Sequence, residues 1–306
     1  MINPKKSFSQ YLNIRKLHPV AVDINDPVKI FFVHQDAAYD ITNYHALVSL
    51  KPFAIAVNAA AINFLNPARA TLRIVDNEKV LGMLHLKACA TEKFNDITLN
   101  VYEAALPGFS ISFSTAVWNA FLLQVKNKTD KRSQNFVVPP WELLKLFVYS
   151  LKPRPVFLVS VLHEKGFDVF PIDIAGTISE TQCMFSIRST SAAIAHILTT
   201  KKICAAAIPY EQRTAAYQLG RHHAGAIVPD ELKALNFITS EQWRIPIPAF
   251  ATDVQELILE HSFQKGVHTQ FVFRVINSYS LITALQLAHT PWFNRKYFKN
   301  SFDLRK

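Results

Sequence analysis

The stretch that decides the fold is Pro139–Ile174, PPWELLKLFVYSLKPRPVFLVSVLHEKGFDVFPIDI. Trp141–Ser150 carries apolar residues at helical spacing behind a double proline, which predicts a short helix. The period then changes. Val156–Leu162 is rich in β-favouring residues, His163-Glu164-Lys165-Gly166 reads as a hairpin turn, and Phe167–Ile174 returns as the second strand. Immediately upstream, Lys126–Pro140 (KNKTDKRSQNFVVPP) is polar and basic and closes on two prolines, as a linker or domain edge does.

Toward the C-terminus the β-rich pattern continues. Gln182–Ile187 is predicted as a strand, followed by Arg188-Ser189-Thr190-Ser191 and a short helix over Ser191–Thr199 with Ser191 as its N-cap. Lys202–Ile208 is the next strand. Thr214–Leu219 and Asp230–Leu235 read as helices, the latter behind Pro229. Glu256–Ser262, a turn at Gln264-Lys265-Gly266 and Thr269–Ile276 make a second long hairpin, on which Asp253, Glu256 and Glu260 are expected to form a solvated face. Toward the N-terminus, short strands are expected at Val28–Val33, Phe53–Val57, Ala70–Val75, Val80–Leu86, Ile97–Ala104 and Val117–Val125. Turn-like clusters such as Asp76-Asn77-Glu78 separate them, which points to a small antiparallel sheet or barrel. The tetrapeptide SLKP occurs at Ser49–Pro52 and at Ser150–Pro153, each leading into an apolar strand as in a duplicated barrel, but the similarity fades within about ten residues and reads as chance.

Composition narrows the chemistry. Half of the 306 residues are hydrophobic and 18% are charged, which excludes a disordered chain. The length suits two domains, divided here as residues 1–130 and 136–306. With only 7 glycines, neither G-x-G-x-x-G nor G-x-x-x-x-G-K-[ST] can be written anywhere, so glycine-fingerprint nucleotide folds are set aside. The charge of +10 attracts anions in general, but its basic clusters fall at the two ends and in Lys126–Arg132, where solvated surface is expected and nucleic-acid binding is not. Three scattered cysteines, Cys89, Cys183 and Cys204, exclude a disulfide framework and a zinc ribbon. No metal site is expected: there is no H-E-x-x-H, and adjacent His222 and His223 lack ligand spacing. The N-terminus lacks the apolar core of a signal peptide, and the most apolar stretch, Phe53–Leu65, is too short for a membrane span, so a cytoplasmic protein is expected.

Residues 139 to about 279 resemble the flavin reductase-like family. PPWELLKLFVYSLKPRPVFLVSV is similar to the family's helix, Pro-Arg-Pro-Val entry and first strand. HEKGFDVFPIDIAGTIS resembles its Gly turn and Asn-x-x-Pro-x-Ser segment. CMFSIRSTSAAIAHILTTKKICAAAIP resembles a strand, polar phosphate loop, short helix and further strand, and QKGVHTQFVFRVINSY resembles the late Gly-Asp-His-Thr hairpin. The resemblance implies a mainly β fold, the FMN-binding split β-barrel with short helical inserts, here preceded by a second β-rich domain. It also implies FMN, or FAD in its place, as cofactor, NADH or NADPH as electron donor, and an NAD(P)H-dependent flavin oxidoreductase activity. Barrels of this family hold flavin near a subunit interface, so a homodimer is expected, and either a second copy or the N-terminal half would complete the pocket.

The resemblance also implies site residues. The flavin ring would lie along Pro171, Ile172, Asp173, Ile174, Ala175 and Gly176, whose backbone can bond its pyrimidine edge. A dianionic phosphate needs hydroxyls, N–H groups or a guanidinium, and Arg188, Ser189, Thr190 and Ser191 supply them beside a helix start. His268 stands at the family's His position, as the candidate catalytic residue near nicotinamide or flavin. The chain departs from the pattern at Asp168 and Asp173, which replace an Asn and a Ser, and at Ala192-Ala193 and His196-Ile197, where hydroxyl and amide groups are lost. A carboxylate beside a phosphate costs energy unless a cation or a proton intervenes. The second reading is therefore a non-catalytic barrel that has lost flavin and binds a partner or an anionic ligand.

Overall fold

The computed structural model describes residues 17–23, 25–109, 113–129, 137–220, 236–294, 296 and 297. The middle of the predicted linker, the helix expected at Asp230–Leu235, His222-His223 and most of the terminal basic residues lie outside the described residues.

Strand β1 (His18–Val22) is followed by β2 (Lys29–His34), β3 (Ala37–Asp40), β4 (His45–Leu50), β5 (Phe53–Asn58), β6 (Arg69–Asp76), β7 (Lys79–Phe94) and β8 (Ile97–Phe109). Helices α1 (Phe113–Thr129) and α2 (Pro140–Tyr149) lead through β9 (Arg154–Pro155) into the second half. There β10 (Phe157–His163), β11 (Gly166–Ile172), β12 (Ala175–Thr177) and β13 (Gln182–Arg188) precede α3 (Ala193–Thr200) and β14 (Lys202–Ala207). Then come α4 (Arg213–Leu219), the small pair β15 (Phe237–Thr239) and β16 (Pro246–Pro248), the long hairpin β17 (Asp253–Lys265) and β18 (His268–Ser280), and β19 (Gln286–Thr290).

Two seven-stranded antiparallel sheets dominate. Their strand orders are β3-β2-β6-β7-β8-β5-β4 and β11-β10-β14-β17-β18-β13-β12. Matching the strands in chain order, β2 with β10 through β8 with β18, makes the two orders identical. One topology occurs twice. The SLKP tetrapeptides do not mark it: the first is the β4–β5 turn, whereas the second links α2 to β9. Hairpin turns do fall at matching places. The β7–β8 turn uses Asn95 at φ 45° and the β17–β18 turn uses Gly266 at φ 59°, the left-handed region that Asn and Gly tolerate best.

Each sheet has its own core. Phe32, Ile55, Leu72 and Tyr102 of the first sheet pack with Leu143 and Phe147 of α2. Val159, Phe185, Phe271 and Phe273 of the second pack under Ile197 of α3. Burial of each such side chain stabilises by about 1.5–3 kcal/mol. A third cluster lies between the sheets, where Ala46, Val48, Ala54 and Ala56 meet Ile178, Met184 and Val272. A three-stranded sheet, β1-β19-β9, ties the start of the described chain to the second half.

Two sequence expectations change. Val117–Val125 is helical, within α1, not a strand: Ala116, Asn119, Ala120 and Leu123 are buried along α1, a helical period that the Val, Trp and Phe content masks. Glu256 is fully buried rather than solvated. Its carboxylate accepts the backbone N–H groups of Gln242 and Trp243 and the side-chain amide of Asn277. Burial opposes its ionisation, but those donors prevail and hold it below the usual carboxylate range. All three cysteines are free. No helix among the described residues is long and apolar enough to cross a membrane.

Candidate functional site

The hairpin of β18 brings His268 opposite Arg188, the last residue of β13, so two of the expected site residues are direct cross-strand neighbours. Past Arg188 the chain turns: the Ser189 N–H donates to the Val267 carbonyl, and the Ser191 N–H donates to the Arg188 carbonyl at 2.8 Å. Ser191 therefore closes this turn instead of capping the helix. The N-cap position of α3 is Ala192, without a side-chain cap. Thr269 Oγ1 donates to Ser189 Oγ at 3.2 Å, while the Thr190 and Ser191 hydroxyls bond to no other described residue. Arg188 is half-buried. Three hydroxyls and a guanidinium thus stand at one corner of the second sheet, ahead of the N-terminus of α3, where the Ile194 N–H donates to the Ser191 carbonyl at 3.3 Å.

Asp173 lies beside this corner, in the bend between β11 and β12, and its charge is already answered. Arg154 Nη2 reaches Asp173 Oδ2 at 2.8 Å, and the His289 Nδ1–H donates to the same oxygen at 2.7 Å. The partner of His289 Nε2 is the Tyr217 hydroxyl, 2.9 Å away. The carboxylate orients the imidazole, and the imidazole accepts from the phenol. Burial pushes the Asp173 carboxyl up, but Arg154 and His289 outweigh it and hold it well below the ordinary carboxylate range. Arg188 and His268 lie within electrostatic reach of the same carboxylate. Asp168 sits elsewhere, near the stacked rings of His163 and His196, and burial raises its pKa.

The interior of this cluster has unused donors. Arg154 is 7% exposed, and its Nε and Nη1 find no partner among the described residues. His268 is 1% exposed, with Nδ1 unpartnered among the described residues, and burial together with the Arg188 charge lowers its pKa to about 4, so the ring is neutral. Unsatisfied buried donors beside a half-exposed guanidinium and free hydroxyls fit an anionic group such as a phosphate.

The segment expected along the flavin ring is divided between surroundings. Pro171 faces the end of α4, where a Cβ at Gly220 would lie 3.0 Å from its Cγ. Ile172 packs in the core of the second sheet, and Ala175 packs against its edge. Ile174 packs into the core of the first sheet. Gly176 faces β4 so closely that a Cβ there would lie 2.3 Å from the His45 carbonyl oxygen.

Arg154, Tyr217 and His289 were not among the residues singled out from sequence. Arg154 belongs to the quoted Pro-Arg-Pro-Val segment, which gave a signal. Tyr217 and His289 gave none, because only the closure of β1-β19-β9 against α4 brings them to Asp173.

No protein-family model matches this chain, and no curated protein is significantly similar to it. Among solved structures it is similar to an FMN-binding protein from Thermus thermophilus with bound 1-cyclohex-2-enone, at 21% identity and a TM-score of 0.40, over 49% of this chain and 79% of that one. It is also similar to the Streptomyces globisporus C-1027 NADH:FAD oxidoreductase SgcE6, at 16% identity and a TM-score of 0.44, over 52% of this chain and 94% of that one. A third is BorF, the flavin reductase component of a bacterial two-component tryptophan halogenase, at 13% identity and a TM-score of 0.42, over 48% of this chain and 96% of that one. The fold of the chain is mainly β, and each of these structures matches about half of it.

Proposed function

We propose that the chain is a flavoprotein of the flavin reductase type, which holds FMN or FAD and takes electrons from NADH or NADPH. The observation that carries this reading is the corner at Arg188–Ser191, with the Asp173 carboxylate beside it neutralised by Arg154 and His289. Arg188, Ser189, Thr190, Ser191 and the first N–H groups of α3 would bind the phosphate. The Arg154–Asp173–His289 arrangement removes the repulsion that a bare carboxylate would exert there. When bound, flavin supplies hydride acceptance from a nicotinamide and onward electron transfer. His268, neutral and fixed by its burial, would border the cofactor without adding charge.

The test is a visible absorption spectrum of the purified protein, repeated after FMN addition and desalting. A retained, protein-perturbed flavin band is expected, lost in Arg188→Ala. NADH and NADPH titrations without oxygen then identify the donor. A colourless wild-type protein that ignores both FMN and FAD overturns the reading and leaves the non-catalytic barrel. Unchanged flavin content in Arg188→Ala overturns the phosphate assignment.

A further inference from the structure

We propose that the first sheet is a resident stand-in for a second subunit: a copy of the second sheet that has given up its own ligand corner and covers the face a partner copy would cover. One chain then carries one site and works as a monomer. The single-site count rests on the flavin reading above; the monomer does not.

The first observation is the repeated strand order. The second is how the sheets meet. In a two-fold interface the same surface is used on both sides, and equivalent elements face each other near the axis. Here β4 packs on its counterpart β12, with Gly176 against His45 and Ala46. β7 packs on its counterpart β17, where Phe94 stacks on His261 with ring centroids 4.9 Å apart. Polar contacts surround this apolar seam. Ser186 Oγ donates to the Leu47 carbonyl at 2.8 Å and Gln270 Nε2 donates to the Val48 carbonyl at 2.7 Å. Gln270 Nε2 also donates to the carbonyl of His268 at 3.1 Å, so the first sheet braces the strand that holds the site histidine. At Gly266 a Cβ would lie 2.3 Å from the Lys51 carbonyl oxygen, so the adjoining hairpin turn is seated on the first sheet as well.

The third observation is the corner itself. Asn58 ends β5 as Arg188 ends β13, and Ala59, Ala60 and Ala61 follow where Ser189, Thr190 and Ser191 stand in the second sheet. Hairpin register places Ile97 opposite Phe94, as His268 is opposite Lys265. The first sheet therefore lacks the guanidinium, the three hydroxyls and the imidazole. Its corner amide serves the interface instead: Asn58 Oδ1 accepts from the Ala60 N–H at 3.0 Å, and Nδ2 donates to the Ile178 carbonyl at 2.7 Å.

The test is the mass of the full chain by light scattering over a wide concentration range, together with the number of FMN molecules bound at saturation. One chain per particle and one FMN per chain are expected. A stable wild-type dimer, or two FMN per chain, overturns the proposal. A monomer without FMN supports the stand-in and defeats only the flavin reading. The buried seam is probed by Ala46→Arg, a wedge between β4 and β12. It is expected to free the face of the second sheet, so that the mass moves toward two chains; a monomer with unchanged melting overturns the proposal. Should that variant fail to fold, the wild-type mass and FMN count decide.

Discussion

The two sheets run through the same seven strands in the same order, yet they differ where strands end. At the β6–β7 connection the first sheet makes a two-residue turn, Asn77-Glu78, with both φ angles positive, the hairpin turn that suits twisted strands. At the matching place the second sheet inserts everything between β14 and β17, including α4, which brings Tyr217 to His289. At the β5 and β13 ends, alanines stand against hydroxyls and Asn58 against Arg188. The strands, which carry the burial, are alike in course; the connections, which carry the candidate site, are not. A sheet tolerates replacement of its corners because corner side chains contribute little to its core.

The largest effect expected is acid destabilisation, since each sheet holds a buried histidine, His45 in β4 and His268 in β18, both lowered to about 4 chiefly by burial. Between pH 6.5 and 4 the unfolded chain binds protons that these rings refuse, so stability rises with pH there and falls on acidification. The two rings together should cost about 4 kcal/mol between neutrality and about pH 5. Urea unfolding followed against pH checks this, with His268→Gln halving the slope; a flat profile would mean that the rings take up protons in place.

Next is Arg154→Ala, which strands the Asp173 carboxylate. Loss of one partner of a buried pair costs about 3–5 kcal/mol, and the partial exposure of Asp173 reduces this to about 2–3 kcal/mol. The exposed Lys29–Asp40 pair of the first sheet should give no more than about 1 kcal/mol in Lys29→Ala. Because the Asp173 pKa is depressed in the fold, its contribution is complete above the unfolded value and is lost as pH falls below about 4. Adding Asp173→Asn to Arg154→Ala should recover part of the loss in denaturant titrations.

A smaller, more diagnostic contrast is Asn58→Ala against Arg188→Ala. The first removes a cap and leaves the Ile178 carbonyl without its donor, costing about 1–2 kcal/mol with flavin retention unchanged. The second should do the reverse. Equal loss of flavin in both variants would break the distinction between the corners. The smallest effect is at Lys265, whose ammonium reaches Glu103 across the seam at 2.8 Å. Lys265→Glu should lower the melting point by an amount worth under about 1 kcal/mol, and adding Glu103→Lys should restore it.

Much of the fold was legible locally. The double proline ahead of Trp141 and the β-run broken by His163–Gly166 foretold α2, β10 and β11 almost to their ends. Val117–Val125 reads as a strand because its residue types favour strands, while its burial follows a helix, and only packing reveals which periodicity is in force. At the candidate site, Arg188–Ser191 and His268 are named from order and residue type, and the fold sets His268 opposite Arg188. Asp173 could be seen as a carboxylate in an unfavourable place, but its remedy could not, because Arg154 and His289 flank it from 19 and 116 residues away.

The β class, the hairpins, the helix behind the prolines and the run of guanidinium and hydroxyls at Arg188–Ser191 can be read locally, since each depends on side chains within one or two turns of chain. Tertiary structure alone decided that Asp173 is paired, that Glu256 is buried, and that the first sheet repeats the second and lies against it. Those outcomes depend on strand order and on contacts between distant segments. Strand order leaves no short-range periodicity to read, because a strand's alternation records which face is buried and not which neighbour it meets.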